Sequence, residues 1–417
     1  MRQFTKEMKE NGWTLVIPNM SEIHFNVMKR IFDNHGYKVH LLENYDHTLV
    51  DEGLKYVHND MCYPCLLVIG QMLDAIKRGI VDKDHSALVI SQTGGGCRAS
   101  NYYFLLLKAL ERAGLENIPV ISMNLQGMNK NPGLKITKLM LLQAFTGLLY
   151  GDLLMMLYNQ TKPYEVNKGD SDKIVEKWTE YLGSCYARNR GYFFSNLKKN
   201  MHGISDDFHN VKCDRSKKKV KVGVVGEIYM KYSKLGNSNL KEFLESQDAE
   251  VMLPPMMGFV LYSFKNGVYD DEYYGGRGKY KTLMKFIFPF LLKMEKMMTD
   301  SISRYPEFHR SATFPELESY REGLIDKGCK MGEGWLLTAE MAELIEKGYS
   351  NIVCTQPFGC LPNHICGKGM IRPLKEKYPN SNIVPIDYDP SATRVNQENR
   401  IKLMLSIARE NLEKEAD

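Results

Sequence analysis

Residues 86–114 read SALVISQTGGGCRASNYYFLLLKALERAG, and this stretch decides the fold class. SALVIS is a short β-branched run, too short for a core helix and closed by three glycines. ASNYYFLLLKALERAG then shows apolar residues at helical spacing and a glycine stop at Gly114. A strand, a glycine turn and a helix in that order form half of a βαβ unit, and the strand PVISMNL after them completes it.

The same rhythm runs outward in both directions. Upstream, WTLVIP from Trp13, SEIHFNVMKRIFDNHG and YKVHLLE read as strand, helix and strand, with Ser21 as N-cap and Gly36 as stop. A helix carrying LLVIGQMLDAIKRG ends at Gly79. Residues 1–130 therefore predict a first α/β lobe with a parallel sheet. Residues 131–215 read as helix followed by a linker. Residues 216–417 resume the alternation with KVKVGVVGEIY, NLKEFLESQ and AEVMLP, break for a helical insertion at about 256–327, and return with WLLTAEMAELIEKG, NIVCTQP, GMIRPLKEKYP, NIVPIDYD and a terminal helix. The expectation is an α/β protein of two Rossmann-like, flavodoxin-like parallel-sheet lobes, each with a helical elaboration.

Composition fits that class. The chain has 417 residues, 43% of them hydrophobic and 25% charged, with a net charge of +5, which is ordinary for a globular protein of two or more domains. The one basic run, SKKKVK (216–221), reads as a solvated linker, so no nucleic-acid partner is expected. The apolar stretch from Leu139 is interrupted by Gln143 and Asp152 and follows Lys138, which favours a buried core helix over a membrane span. The N-terminus lacks the uninterrupted apolar core of an export signal. Nine cysteines, an odd number, with 24 methionines fit free thiols or metal ligands in a reducing cytoplasm better than a disulfide framework.

Most of those cysteines sit at element boundaries. Cys62 and Cys65 form a Cys-x-x-Cys pair with Pro64, a good first-turn residue, so the Cys62 sulfur lies at a helix N-terminus. Cys97 ends the turn of Gly94, Gly95 and Gly96, where the backbone can approach a ligand closely. Cys354 lies near the end of a strand, Cys360 lies in the loop after it, and ligands bind at that edge of open α/β sheets. Helix N-termini and glycine turns offer unpaired N–H groups that stabilise thiolates and hydrogen-bond cluster sulfides. A redox switch at CYPC and a local zinc site of Cys354, Cys360, His364 and Cys366 are the competing readings. Cys185 and Cys213 read as small buried hydrophobes.

NDMCYPC (59–65), SQTGGGCRASNY (91–102), LLYGDLLMMLYNQTKPYEVNKG (148–169), VGVVGEIY (222–229), GEGWLLTAEM (332–341), TQPFGCLPNHICGKGMIRPLKEKYP (355–379) and IDYDPSATRVNQENR (386–400) together resemble the 2-hydroxyacyl-CoA dehydratase superfamily. They are most similar to its stand-alone double-cubane-cluster proteins and the related activase-associated branch. The resemblance implies iron–sulfur cofactors: either one [4Fe–4S] cluster on three cysteines, as in the dehydratase subunits, or two bridged cubanes with three cysteines each. Cys62, Cys65 and Cys97 would supply one triplet, and Cys354, Cys360 and Cys329 the other, with Cys366 as a rival to Cys329. It further implies a small-molecule substrate, a homodimer, and an ATP-hydrolysing activator that carries its own iron–sulfur cluster and delivers electrons of low potential. The expected activity is reduction of a small molecule. The alternatives are 2-hydroxyacyl-CoA dehydration and, without catalysis, a metal-stabilised electron relay or scaffold.

This chain holds no GxxxxGK[ST] loop, which agrees with ATP hydrolysis by a partner. Glu227 at a strand end, Glu333 in the GEGW turn and His364 four residues after Cys360 are the candidates for proton transfer. Each also suits a helix cap or a satisfied loop position.

Overall fold

The computed structural model describes residues 2–46, 48–93, 95–123 and 131–414. The first lobe comprises α1 (Lys6–Glu10), β1 (Thr14–Pro18), α2 (Glu22–Asn34), β2 (Lys38–Leu42), α3 (Leu49–Leu54), α4 (Tyr63–Lys77), β3 (Ser86–Ser91), α5 (Tyr102–Arg112) and β4 (Val120–Met123). Three long helices follow: α6 (Lys138–Thr161), α7 (Asp170–Ala187) and α8 (Phe194–His209). The second lobe opens with β5 (Val220–Gly226), α9 (Ile228–Tyr232), α10 (Leu240–Ser246) and β6 (Ala249–Met252). It inserts α11 (Met256–Tyr274), α12 (Gly278–Ile302) and α13 (Phe314–Tyr320). It closes with α14 (Trp335–Glu346), β7 (Asn351–Pro357), α15 (Ile371–Lys377), β8 (Asn382–Tyr388) and α16 (Arg394–Lys414).

Both sheets are four-stranded and parallel, with orders β2-β1-β3-β4 and β6-β5-β7-β8. The two orders are the same topology, so each lobe has one switch point: between β1 and β3 in the first, between β5 and β7 in the second. A switch point leaves a crevice at the strand C-termini because the flanking connections leave in opposite directions. Leu15 pairs with Val39 and Ala87 across the first sheet, and Val224 with Val353 across the second. The expected α/β architecture is the observed one. The basic run is shorter than a linker, since Val220 and Lys221 already belong to β5.

Helix α6 joins the lobes. It passes for a membrane span by length and composition, yet 72% of its most apolar window is buried inside the protein. Leu149, Leu153, Leu154 and Leu157 are fully buried, each worth about 1.5–3 kcal/mol of transfer free energy. Asp152 lies on the same helix, fully buried, where it accepts hydrogen bonds from the Met256 and Met257 N–H groups at 2.7 and 2.8 Å and meets His24 Nε2 at 2.9 Å. One carboxylate of α6 thus caps the first turn of α11 in the second lobe and holds α2 of the first. Ser21 stands at the N-cap of α2, as its sequence suggests, but its hydroxyl bonds His24 Nδ1 at 2.8 Å rather than the helix backbone. A single apolar cluster, containing Val16, Leu66, Leu153, Val224 and Trp335, runs through both lobes.

Candidate functional site

The loops at the two switch points face each other. Cys97 follows β3 and precedes a 3₁₀ turn, Arg98–Asn101. Glu227 follows β5, and Cys360 follows β7. Cys62 joins them from the N-cap of α4, whose first turn contains Pro64. The lobes touch here through backbone: the Tyr63 N–H donates to the Phe358 carbonyl at 3.0 Å. Gly359 lies against this contact, and a Cβ on it would stand 3.1 Å from the Cys62 Cα and 2.9 Å from Arg98 Nη1. Its φ of +73° also favours glycine, so the residue before Cys360 is fixed on two counts. On the other side, a Cβ on Gly96 would meet Met331 Sδ at 2.7 Å, and one on Gly332 would lie 4.0 Å from Cys97 Sγ. Glycines therefore let four loops from two lobes close around Cys62, Cys97 and Cys360.

The three thiols share an acidic setting. Cys62 is buried, its Sγ 2.9 Å from the Tyr102 hydroxyl; burial pushes its pKa up to about 11, partly offset by that hydrogen bond, with Glu227 and Cys97 adding to the rise. Burial also raises Cys97, whose sulfur is stabilised by the Ala99 N–H and opposed by Glu333 and Glu227. Cys360 is raised further still, by burial first and then by Glu333, Glu227 and Cys97. Cys65 is fully buried behind Cys62 and raised well above the usual thiol range for the same reason.

Glu227 and Glu333 meet at the start of α9. Glu227 caps that helix by accepting the Met230 N–H at 2.9 Å, and Glu333 accepts the Ile228 N–H at 3.0 Å. Desolvation, with the Glu333 charge second, pushes Glu227 up to about 8, and desolvation raises Glu333 as well. The nearest buried cation, Lys231, is engaged by Glu340 through both carboxylate oxygens, at 2.9 and 3.0 Å. Among the described residues, three thiols and two carboxyls thus converge where Lys231 is held by Glu340 and the neighbouring Arg98 donates to the Asp60 carbonyl. Such a set holds its protons unless a metal centre brings positive charge, in which case coordinating thiols deprotonate.

The remaining candidates separate into two places. Cys366 is buried and pushed up to about 12 by desolvation, then by Cys329 and Glu333; Cys329 is exposed. These two form a pair beyond Glu333, and the buried Tyr262 lies among all three. Cys354 is in the middle of β7, not near its end, and its Sγ lies 3.7 Å from Asn363 Oδ1 with Asp387 and Lys368 as the nearest charges. It is thus turned toward the Asn363–Gly367 turn, which carries Cys366, and neither Cys62, Cys97 nor Cys360 is among the groups that shift it. His364 is exposed, and its Nδ1 lies 2.7 Å from the Cys360 carbonyl. Cys354, Cys360, His364 and Cys366 are therefore not gathered around one point, as a local zinc site requires.

Cys185 is buried in α7, and Cys213 is half-buried with its Sγ 3.9 Å from the Thr161 carbonyl. Gly94 lies outside the described residues; Gly95 has φ of +68°.

Among the described residues, no three His, Cys, Asp or Glu side chains close to the spacing of a single-ion site. Also among the described residues, a cavity of about 420 Å³ reaches this centre. Its lining is mostly apolar, including Ile17, Phe25 and Phe259, with Cys97, Glu227 and Glu333 among its few polar groups.

The Tyr102 hydroxyl on Cys62 and the Lys231–Glu340 pair are parts of the site that motif reading passes over. Tyr102 has a sequence signal, since it lies one helical turn beyond the Cys97 loop; the Lys231–Glu340 pair has none. The chain matches no known family model, and no curated protein matches it.

Proposed function

We propose that this protein is an iron–sulfur enzyme that accepts single low-potential electrons from a separate ATP-hydrolysing activator and uses them to reduce a small molecule. The observation that carries this reading is the meeting of Cys62, Cys97 and Cys360 from three loops of two lobes, beside two buried carboxyls and an apolar cavity. Cys62, Cys97 and Cys360 would hold the cluster, with Cys65 behind Cys62. When bound, a [4Fe–4S] cluster with three protein ligands supplies a one-electron carrier with one iron open to substrate.

The chain's own groups fit that chemistry. Desolvation pushes Glu227 up to about 8 and raises Glu333 beside it, which favours the protonated form of both. The pair is suited to supply one proton for each electron delivered, two for a two-electron reduction. The apolar cavity admits a small uncharged substrate and keeps water from competing for the proton. Met331, Phe358, Leu361 and Ile365 are exposed on the loops that carry Cys329, Cys360 and Cys366. Exposed apolar side chains of this kind suit a transient partner, here the activator, which needs to come close to the cluster. A cytoplasmic setting follows from thiols that have to stay reduced.

Cluster number distinguishes two forms of this proposal. The grouping of three thiols, with Cys354 turned toward the Asn363–Gly367 turn, favours one cubane and thus the dehydratase-like reading, in which the transferred electron activates a 2-hydroxyacyl-CoA for loss of water. The Cys329–Cys366 pair beyond Glu333 favours a second, bridged cubane and the reductase reading. Iron and acid-labile sulfide in anaerobically purified protein test both: about four irons per chain supports one cubane, about eight supports two. Zinc without iron supports neither. An iron-loaded protein that takes no electron from any ATP-dependent donor would leave the non-enzymatic scaffold as the better account.

A further inference from the structure

The hydroxyl of Ser21, the imidazole of His24 and the carboxylate of Asp152 form one hydrogen-bonded chain. Asp152 is fully buried and accepts the Met256 and Met257 N–H groups at 2.7 and 2.8 Å, so it meets His24 Nε2 at 2.9 Å as an acceptor too. The ring proton therefore sits on Nε2. Nδ1 is left bare and accepts the Ser21 O–H at 2.8 Å. Gly151 makes room for the buried ring, because a Cβ there would collide with the imidazole. An imidazole held at one nitrogen by a buried carboxylate, with a serine proton on the other, is the arrangement that activates a serine hydroxyl as a nucleophile. Nδ1 and Nε2 stand in exchanged places here, but their roles follow from which of them carries the proton.

Ser21 also stands where a nucleophile can meet a substrate. It is the N-cap of α2, on the turn after β1, at the strand edge where open α/β sheets bind ligands. Asn19, Met20, Ser21, Glu22 and Ile23 together line a cavity of about 540 Å³ at the seam between the lobes, whose wall contains no cysteine. Ser21 itself is only half-buried. Its hydroxyl is engaged by His24 and does not cap α2. The first N–H that its carbonyl meets is that of Phe25, at 2.8 Å. Among the described residues, no side chain receives the N–H groups of Glu22, Ile23 or His24. Open N–H groups in the first turn of a 13-residue helix, at its positive dipole end, are placed to receive an oxyanion formed beside Ser21. A nucleophile on a strand–turn–helix joint whose helix N–H groups complete the oxyanion hole is a recurrent solution for acyl transfer.

We propose that Ser21 is the nucleophile of a second active site, acting on small carboxylic esters, with His24 as its general base and Asp152 and Gly151 as positioning residues. Ser21 Oγ bonds the acyl carbon while its proton passes to His24 Nδ1. The ester C–O bond then breaks, and the leaving alcohol takes that proton. Water, deprotonated by His24, cleaves the acyl-serine, releases the acid and restores Ser21. The site is separate from the cysteine centre and does not depend on a cluster.

A fluorophosphonate, which bonds an activated serine through phosphorus with loss of fluoride, tests this on the full-length chain with and without iron. Peptide mass spectrometry reads the labelled residue, and p-nitrophenyl acetate hydrolysis is followed beside it. Both wild-type forms are expected to be labelled at Ser21, with labelling slowed roughly 100-fold or more in His24→Gln. Ser21→Ala is expected to keep its fold, because the hydroxyl does not cap α2, and to lose both the label and the ester hydrolysis. If His24→Gln does not fold, urea-unfolded wild type supplies the comparison, in which Ser21 is expected to lose its reactivity. Three results would overturn the proposal and leave the chain as a strut between the lobes: folded wild type unlabelled at Ser21 or hydrolysing the ester no faster than Ser21→Ala, folded His24→Gln labelled at the wild-type rate, or an unfolded chain labelled as fast as the native one.

Discussion

The N–H of Tyr63, one residue after Cys62, donates to the carbonyl of Phe358, two residues before Cys360, at 3.0 Å. This bond joins the N-terminus of α4 in one lobe to the loop after β7 in the other, within two residues of both cysteines. The thiol cluster is therefore a property of how the lobes dock. Loosening the seam is expected to disperse the thiols without unfolding either sheet. Gly359→Ala is a direct way to do so, because its Cβ would run into Cys62 backbone and φ is +73°. Its far-ultraviolet circular dichroism is expected to match wild type while iron retention falls; full retention would show that the seam tolerates the displacement.

The Tyr102 hydroxyl hydrogen-bonds Cys62 Sγ at 2.9 Å, and a hydrogen bond to a ligand sulfur favours the reduced, more negative state of a cluster. Tyr102→Phe is expected to keep its iron and lower the midpoint potential by roughly 20–60 mV, equivalent to about 0.5–1.5 kcal/mol for one electron. An unchanged potential in a redox titration would mean that Cys62 does not hold the cluster.

Cys354 serves as the internal control. Its sulfur faces Asn363, with Asp387 and Lys368 nearby, so Cys354→Ala is expected to leave the iron content unchanged and cost only a small cavity penalty, on the order of 1 kcal/mol. Loss of iron in this variant, measured beside Cys366→Ala, would restore Cys354 to the second triplet that its motif suggests.

Away from the site, two buried carboxyls predict a pH dependence of stability. Glu295 accepts the Phe314 N–H at 2.9 and 3.0 Å, and burial pushes it up to about 8; Glu343 accepts the Ala312 N–H and is pushed up to about 7. Both folded values exceed the unfolded value of 4.5. The folded state thus binds these protons more tightly, and the contribution is fully present below about pH 4.5 and lost as pH rises through 7 and 8. Glu295→Gln keeps an acceptor for Phe314 and removes the titration. Its stability relative to wild type is expected to improve by at least about 1 kcal/mol between pH 5.5 and 8.5 in urea unfolding; a constant difference would show that Glu295 does not titrate in this window.

The sequence contained both sheets because strand and helix periods are local, and SALVIS, VKVGVVG and NIVCTQP each emerged as the strands β3, β5 and β7. It placed Glu227 at a strand end and Cys360 in the loop after a strand for the same reason. Which thiol meets which was not legible, because it depends on the register between lobes, and Cys97 stands beside Cys360 although 263 positions separate them. Cys354 illustrates a readable signal that motif reading passes over. A residue inside a strand points to one sheet face, whereas a residue beyond the strand end can point into the crevice. Short α9 escaped notice because five residues carry no period, yet its N-terminus gathers Glu227 and Glu333.

The most direct test is iron and acid-labile sulfide per chain in anaerobically reconstituted wild type, Cys62→Ala, Cys97→Ala and Cys360→Ala. The account predicts at least about four irons in wild type and a loss of one whole cluster's iron in each of the three variants, with circular dichroism unchanged. Wild type without iron, or three folded variants that all keep the wild-type content, would contradict it.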